Sequence, residues 1–547
     1  MTGGSMQNDY RFESRRSPVL ARNGIVSTSQ PLAAQAGLSV LQAGGNAADA
    51  AVATAAVLNV VEPTSTGVGG DCFCLFYEAA TRTVHAINGS GRAPAALSIA
   101  SLAERNIRGK MPDLGPHAVT VPGTVQGWED TVTRHGRMPL GEILSRAIEL
   151  AEDGHPVAPG IATYWDRSAD LIREASPNGG EMLIDGRGPH PGEMRRNPGL
   201  ARVLRQVAEA GAPAFYEGDP GRAIVEVLES LGGLMTADDL AQHHSTFEPP
   251  ISTAYRGYTV YECAPNGQGL TALIGLNILE GYDLASMDPR SPEYVHLLIE
   301  ALRLAFADTR WFIADPAKAS VPIEGLLSKD YAAQRRTLID PTQAVVDPER
   351  GAPINASDTV YLSVVDGEGN ACSFINSNYK GFGTAIVPRG CGFTLQNRGS
   401  GFVLDPDHPN ALAPGKRPYH TIIPAMSTHA DGALHACFGV MGGYNQPQGH
   451  VQAFANLVDH GMDPQTALDT PRFSIYDDPP NGTVYLEDSY PATTMNALAA
   501  MGHPVTPVSA FQRTGYLGRG QIIVRDRDSG VLWGGSDPRS DGAAVGF

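Results

Sequence analysis

Cysteine is scarce in this chain: six residues among 547, at positions 72, 74, 263, 372, 391 and 437. They are too few and too irregularly spaced for a disulfide framework, and no CxxC or CxxH spacing offers a structural zinc site. Cys72 and Cys74 fall on one face of an expected strand, where they read as buried apolar packing. Basic charge is also short, with Lys+Arg 40 against Asp+Glu 58 and a formal charge of −18. No basic block offsets it, and such a surface repels phosphate backbones and anionic lipid, so neither nucleic acid nor a membrane is an expected partner. Long apolar runs are missing. The longest, residues 47–61, carries Asp49 and Asn59, falls short of the roughly 20 residues that span a bilayer, and reads as a buried helix. The first ten residues lack a basic segment followed by an apolar one, which argues against a conventional signal peptide and places the protein in the cytoplasm. What remains is plentiful: 42% hydrophobic residues and 62 glycines suit a globular chain of about three or four domain equivalents, or one large layered domain.

Residues 27–56 read as an Ala-rich amphipathic helix stopped by Gly44 and Gly45, then a second helix from Asn46. The glycine cluster Gly67-Val68-Gly69-Gly70-Asp71 lies before a strand at 72–77 instead of between a strand and a helix, so a dinucleotide loop is rejected. Residues 84–88 supply the return strand. From 140 to about 314 the pattern is mainly helical, with apolar periodicity at 143–151, 201–209, 223–231 and 294–306, interrupted by a strand-like run at 258–263. Residues 340–358 are rich in Asp, Pro, Gly and Ala and fit an exposed, mobile connector. Beyond the next strands, helices are expected near 449–459 and 490–501, with closing strands at 520–524 and 531–534. No internal repeat is present.

The connector ends at Asp358, and Thr359 opens the strand 359–365. The loop 366–370 turns the chain into a second strand, 371–377. Pairing Val365 with Ala371 and counting outward sets Ser377 opposite Thr359. A Thr placed after such a connector can attack the Asp358 carbonyl through its Oγ. Hydrolysis of the resulting ester leaves Thr359 as a new N-terminus, whose α-amine, with an ordinary pKa of about 7.7–8.0, serves as its own general base. The plain alternative is a threonine that merely opens a strand.

The chain resembles the γ-glutamyltransferase (γ-glutamyltranspeptidase) family of N-terminal-nucleophile hydrolases over nearly its whole length. The resemblance is carried by the run Leu41 to Ala53 (LQAGGNAADAAVA), Val61-Glu62-Pro63 through Gly69-Gly70, Val121-Pro122-Gly123-Thr124 and Tyr255-Arg256-Gly257-Tyr258. It continues through Asp358-Thr359-Val360-Tyr361, Gly381-Phe382-Gly383-Thr384, Lys416-Arg417-Pro418 and Gly442-Gly443. It implies an α+β fold, the four-layer αββα sandwich. It also implies cleavage between Asp358 and Thr359 into a large subunit, 1–358, and a small one, 359–547, intertwined as one domain. The partners implied are a small-molecule amide substrate and the protein's own cleaved subunits as a heterodimer, with a dimer of these left open. Thr359 matches the nucleophile, Ser377 the second hydroxyl that bonds its amine, and Gly442 and Gly443 the backbone donors of an oxyanion hole.

The match weakens where the substrate's α-carbon would be held. In Gly89-Ser90-Gly91-Arg92-Ala93-Pro94 the arginine lies two residues closer to Ala-Pro than in the family pattern, and Ser400 stands where the amine-binding Asp is expected. His420 and Thr421 replace the paired serines after Lys-Arg-Pro, and Tyr444 follows the Gly-Gly where a small residue is usual. Arg92, Arg398 and Arg417 are candidates for a carboxylate contact, each with a structural ion pair as its alternative. The expectation is a self-processing amidase acting on γ-glutamyl or similar amides through an acyl-enzyme, with hydrolysis favoured over transfer. An amidohydrolase for an acyl group lacking the α-amine, of oxamate or glutaryl type, is the alternative enzyme. A noncatalytic binding protein on the same scaffold is the alternative of another class. Neither enzyme needs a metal or an organic cofactor.

Overall fold

The computed structural model describes residues 16–345, 360–476, 482–509 and 512–547. Near the N-terminus the chain forms the two expected helices. Pro31–Gln42 ends ahead of Gly44, whose φ of +97° reverses the chain. Ala47–Val61 starts from Asn46, whose side chain accepts from the Ala48 and Asp49 amides while the Asp49 carboxylate accepts from the Asn46 N–H. Every residue of this second helix is buried. It lies between the central strands and the helices Pro31–Gln42, Thr124–His135 and Leu140–Asp153, so it has no solvent face to keep polar.

Two large sheets form the centre. The six-stranded one runs, in spatial order, Ala543–Gly546, Gly24–Thr28, Val360–Asp366, Ala371–Ser377, Asp71–Glu78 and Thr83–Asn88, with every neighbouring pair antiparallel. The seven-stranded one runs Val19–Ala21, Leu532–Ser536, Arg519–Arg525, Leu434–Met441, Ala425–His429, Tyr258–Glu262 and Ile251–Tyr255, again antiparallel throughout. Segments before residue 346 and after residue 359 therefore both contribute strands to each sheet, and a break between them would leave the pieces hydrogen-bonded to each other.

The sheets pack face to face, with Val360–Asp366 against Leu434–Met441 and Arg519–Arg525, and Gly24–Thr28 against Leu532–Ser536. At their junction the Tyr361 ring lies over Gly439, where a Cβ would come within 2.6 Å of the ring, so only glycine admits it. The Tyr361 hydroxyl is satisfied by Ser363 Oγ at 2.8 Å and Ser373 Oγ at 2.7 Å. Helices Pro31–Gln42, Ala47–Val61 and Thr124–His135 contact the six-stranded sheet, and Gly269–Leu279, Asn445–Val458 and Pro464–Asp469 contact the seven-stranded one.

The hairpin register follows the sequence count: Val365 pairs with Ala371 and Val360 with Asn376. One further step would pair Ser377 with Thr359, but Asp358 and Thr359 lie outside the described residues, as does the connector from 346 onward. The strand-like run at 258–263 is one arm of a hairpin whose other arm, Ile251–Tyr255, lies inside the stretch read as mainly helical. Its side chains alternate between buried and exposed, as on an edge strand of the sheet.

Candidate active site

Ser377 ends the strand Ala371–Ser377 and is fully buried. Its Oγ accepts the Tyr379 N–H at 2.9 Å and lies 3.4 Å from the donating Arg398 Nη2. Tyr379 itself has a φ of +79°, a left-handed conformation that bulky side chains seldom adopt, in the turn that brings its amide back to Ser377. The preceding Asn376 is locked on three sides: Nδ2 donates to the Asp71 carbonyl at 3.1 Å and to Thr124 Oγ1 at 2.8 Å, and Oδ1 accepts from Trp128 Nε1 at 3.2 Å. The glycine cluster lies directly beneath. A Cβ at Gly70 would meet the Ser377 carbonyl at 2.4 Å, so this glycine allows a close backbone crossing beside the strand end.

Arg398 opens the short turn Arg398–Gly401 and is fully buried. Its Nη1 donates to Thr421 Oγ1 at 2.7 Å, and its guanidinium lies 4.2 Å from the centre of the Tyr379 ring. Among the described residues no carboxylate forms an ion pair with it, and its Nε has no hydrogen-bond partner. Burial lowers its pKa to about 10, which leaves the guanidinium charged at neutral pH. A buried cation with an open donor is suited to an incoming carboxylate.

Beside it stands Asp71, the first residue of Asp71–Glu78 and fully buried. Oδ1 accepts the amides of Gly91 at 3.0 Å and Gly123 at 3.2 Å. Its Oδ2 is 3.1 Å from His420 Nε2. Because His420 Nδ1 accepts the Ile422 N–H at 3.3 Å, the ring proton belongs on Nε2 and is donated to Asp71. Burial, followed by the nearby Arg398 and Arg417 charges, pushes the His420 pKa well below its ordinary value, so the ring is neutral. Burial also raises the Asp71 carboxyl to about 7, despite the lowering effect of Arg398 and the two amides.

The remaining sequence candidates separate. Thr421 joins Arg398, whereas both His420 ring nitrogens are engaged by Asp71 and Ile422. Ser400 Oγ donates to the Asn397 carbonyl of its own turn at 2.9 Å. Arg92 hydrogen-bonds the His244 carbonyl at 3.2 Å. Arg417 donates to the Ser90 carbonyl at 2.9 Å and to Thr246 Oγ1 at 2.8 Å, and so fastens the 88–91 loop that supplies Asp71 with the Gly91 amide. Asp71, Tyr379 and Gln268 were not read from the sequence. The signal for Asp71 was available: a carboxylate between a glycine turn and an apolar strand is costly unless the fold gives it donors.

Gly442 and Gly443, at the end of Leu434–Met441, have φ of +133° and +59°. Gln268 Nε2 bridges the carbonyls of Gly443 and Thr421, each at 2.7 Å, and Gln268 Oε1 accepts from the Tyr419 hydroxyl at 3.0 Å. The Gly-Gly turn is thereby tied to the segment carrying His420 and Thr421. Tyr444, buried at the start of helix Asn445–Val458, has its ring 5.6 Å from Tyr419. The positive end of that helix follows the turn and would favour negative charge developing there.

Farther along, the start of the connector is tethered. His296 Nε2 donates to the Asp340 carbonyl at 2.7 Å, and Glu300 Oε2 accepts the Val345 N–H at 2.9 Å. His296, Glu300 and His503 cluster closely enough for a metal, but Arg303 Nη1 already lies 2.8 Å from Glu300 and 3.1 Å from His503 Nδ1. A guanidinium within the donor set disfavours a cation there.

A family model described as gamma-glutamyltranspeptidase matches residues 33–547. A glutathione hydrolase-like YwrD proenzyme of Bacillus subtilis (strain 168) is 39% identical over 535 residues, spanning 97% of this chain and 99% of its own. An oxamate amidohydrolase proenzyme of Klebsiella pneumoniae is 34% identical, spanning 96% of this chain and 99% of its own. The crystal structure of a cephalosporin acylase from Bacillus halodurans superposes with a TM-score of 0.92 at 43% identity, covering 99% of each chain. The protein is an amidohydrolase of the N-terminal-nucleophile type, and the chain belongs to the gamma-glutamyltranspeptidase family.

Proposed function

We propose that the protein is a self-processing amidase that hydrolyses amides of a carboxylate-bearing acyl group. In this reading the chain breaks between Asp358 and Thr359, and the two pieces remain together as a heterodimer in a four-layer αββα sandwich. Thr359 then attacks the amide carbonyl, assisted by its own α-amine. Ser377 holds that amine, and the amides of the Gly442-Gly443 turn receive the developing oxyanion. Water resolves the acyl-enzyme.

The observation that carries the choice of acyl group is Arg398, a buried guanidinium beside Ser377 with no carboxylate paired to it among the described residues. An α-amine on the acyl group finds less. Ser400 is neutral and bonded to Asn397, and the carboxylate near Arg398 is Asp71, which already accepts from two amides and His420. A glutaryl-type acyl group therefore suits the pocket better than a γ-glutamyl one, in keeping with the acylase and oxamate amidohydrolase among the relatives.

The test is intact-mass analysis of purified protein incubated with paired γ-glutamyl and glutaryl anilides. Two chains divided before Thr359 and faster release of aniline from the glutaryl compound are expected. Full activity from an unbroken chain would overturn the processing step, and a strong γ-glutamyl preference would overturn the assignment of the acyl group.

A further inference from the structure

We propose that Asp71 determines acyl-group specificity by taking up one proton when a substrate carboxylate docks on Arg398. The inference rests on the reading of Arg398 as the carboxylate's anchor and goes beyond it. Asp71 is the cross-strand partner of Ser377, is fully buried, and shares its surroundings with Arg398 without forming an ion pair to it. Without substrate the site thus holds the Arg398 guanidinium and one carboxyl group, with Arg417 a second cation that acts on Asp71 less strongly. A docked substrate adds a second carboxylate beside Arg398, while Arg417 is held by Ser90 and Thr246, so two buried negative charges competing for the Arg398 guanidinium are unfavourable. Protonation of Asp71 removes one of them.

The neighbours leave Asp71 as the group able to take the proton near neutrality. Burial pushes the Cys72 thiol and the Tyr216 phenol well upward, Arg398 and Arg417 each stay charged with a pKa of about 10, and His420 lies well below its ordinary range. Asp71 itself is raised by burial to about 7. Its donors suit both states. The Gly91 and Gly123 amides and His420 Nε2–H stabilise the carboxylate, and a proton on the carboxyl requires only that one of these contacts loosen.

The test is kcat/KM for glutaryl anilide divided by that for butyryl anilide, followed from pH 6 to 9 in the mature wild-type enzyme, with KM and kcat resolved separately. The Thr359 amine acts on both substrates, so its titration cancels in the ratio. The ratio is expected to fall by up to about tenfold per pH unit above roughly pH 7, through KM for the glutaryl compound, and Asp71→Asn is expected to flatten it. A flat wild-type ratio would overturn the proposal even if Asp71→Asn does not fold, and an unaltered slope in Asp71→Asn would do the same. If Arg398→Met leaves the glutaryl to butyryl ratio unchanged at every pH, the anchor reading itself fails.

Discussion

Ser377 and Asp71 face each other across neighbouring strands of the six-stranded sheet. Ser377 belongs to the segment after the expected cleavage point and Asp71 to the segment before it, so the two roles proposed for this site, holding the nucleophile and choosing the acyl group, meet on one pair of strands.

Thr359→Ala is expected to abolish both chain cleavage and amide hydrolysis, because one hydroxyl serves both steps. Denaturing electrophoresis with anilide turnover checks it. Normal appearance of two chains in this variant would rule out Thr359 as the maturation nucleophile.

Arg398→Met should lower kcat/KM for glutaryl anilide by about 10- to 150-fold relative to butyryl anilide, the equivalent of a charge-assisted bond worth roughly 1.5–3 kcal/mol. Equal losses on both substrates would mean that Arg398 acts on the architecture of the site and not on the acyl carboxylate.

Gly442→Ala places a Cβ on a backbone with φ of +133° and 3.1 Å from the Gly518 Cα. The strained turn should displace the amide donors and reduce kcat by about 10²-fold or more while KM changes little. A variant with wild-type kcat would remove this turn from the oxyanion assignment.

Asp71→Asn should alter the pH dependence of stability. In the folded protein Asp71 holds its proton to about 7, against an ordinary value of 3.8, so its contribution is fully present below 3.8 and is lost as pH rises through 7. The wild type should therefore lose stability relative to the variant across that window, by on the order of a few kcal/mol. Parallel denaturation midpoints from pH 4 to 8 would contradict it.

Glu300→Gln weakens the tether on the Val345 amide and unbalances Arg303. Maturation measured by the disappearance of the full-length band should slow by several-fold, because the connector's start is held less firmly, whereas unchanged or faster kinetics would show that this tether does not favour cleavage.

Much of the fold was legible because local chemistry dictates it. The Asn46 cap, the Gly44 reversal, and the alternation that sets Val365 against Ala371 are short-range effects, and each occurs where the residue pattern places it. Ile251–Tyr255 was missed because five half-buried residues amid helices carry too weak a period to be told apart.

The sequence by itself determined the family, the hairpin register toward Ser377 and the Gly442-Gly443 turn, since ordered motifs and a period of two survive without coordinates. Only the tertiary structure decided which arginine enters the site. Arg92, Arg398 and Arg417 are equivalent as letters, but Arg417 is engaged by Ser90 and Thr246, Arg92 by His244, and Arg398 alone of the three donates to Ser377 and Thr421. The same holds for Asp71, whose carboxyl acquires its character from burial beside residues more than three hundred positions away. Charge and desolvation act through space, and their effect on a side chain depends on what the fold brings next to it.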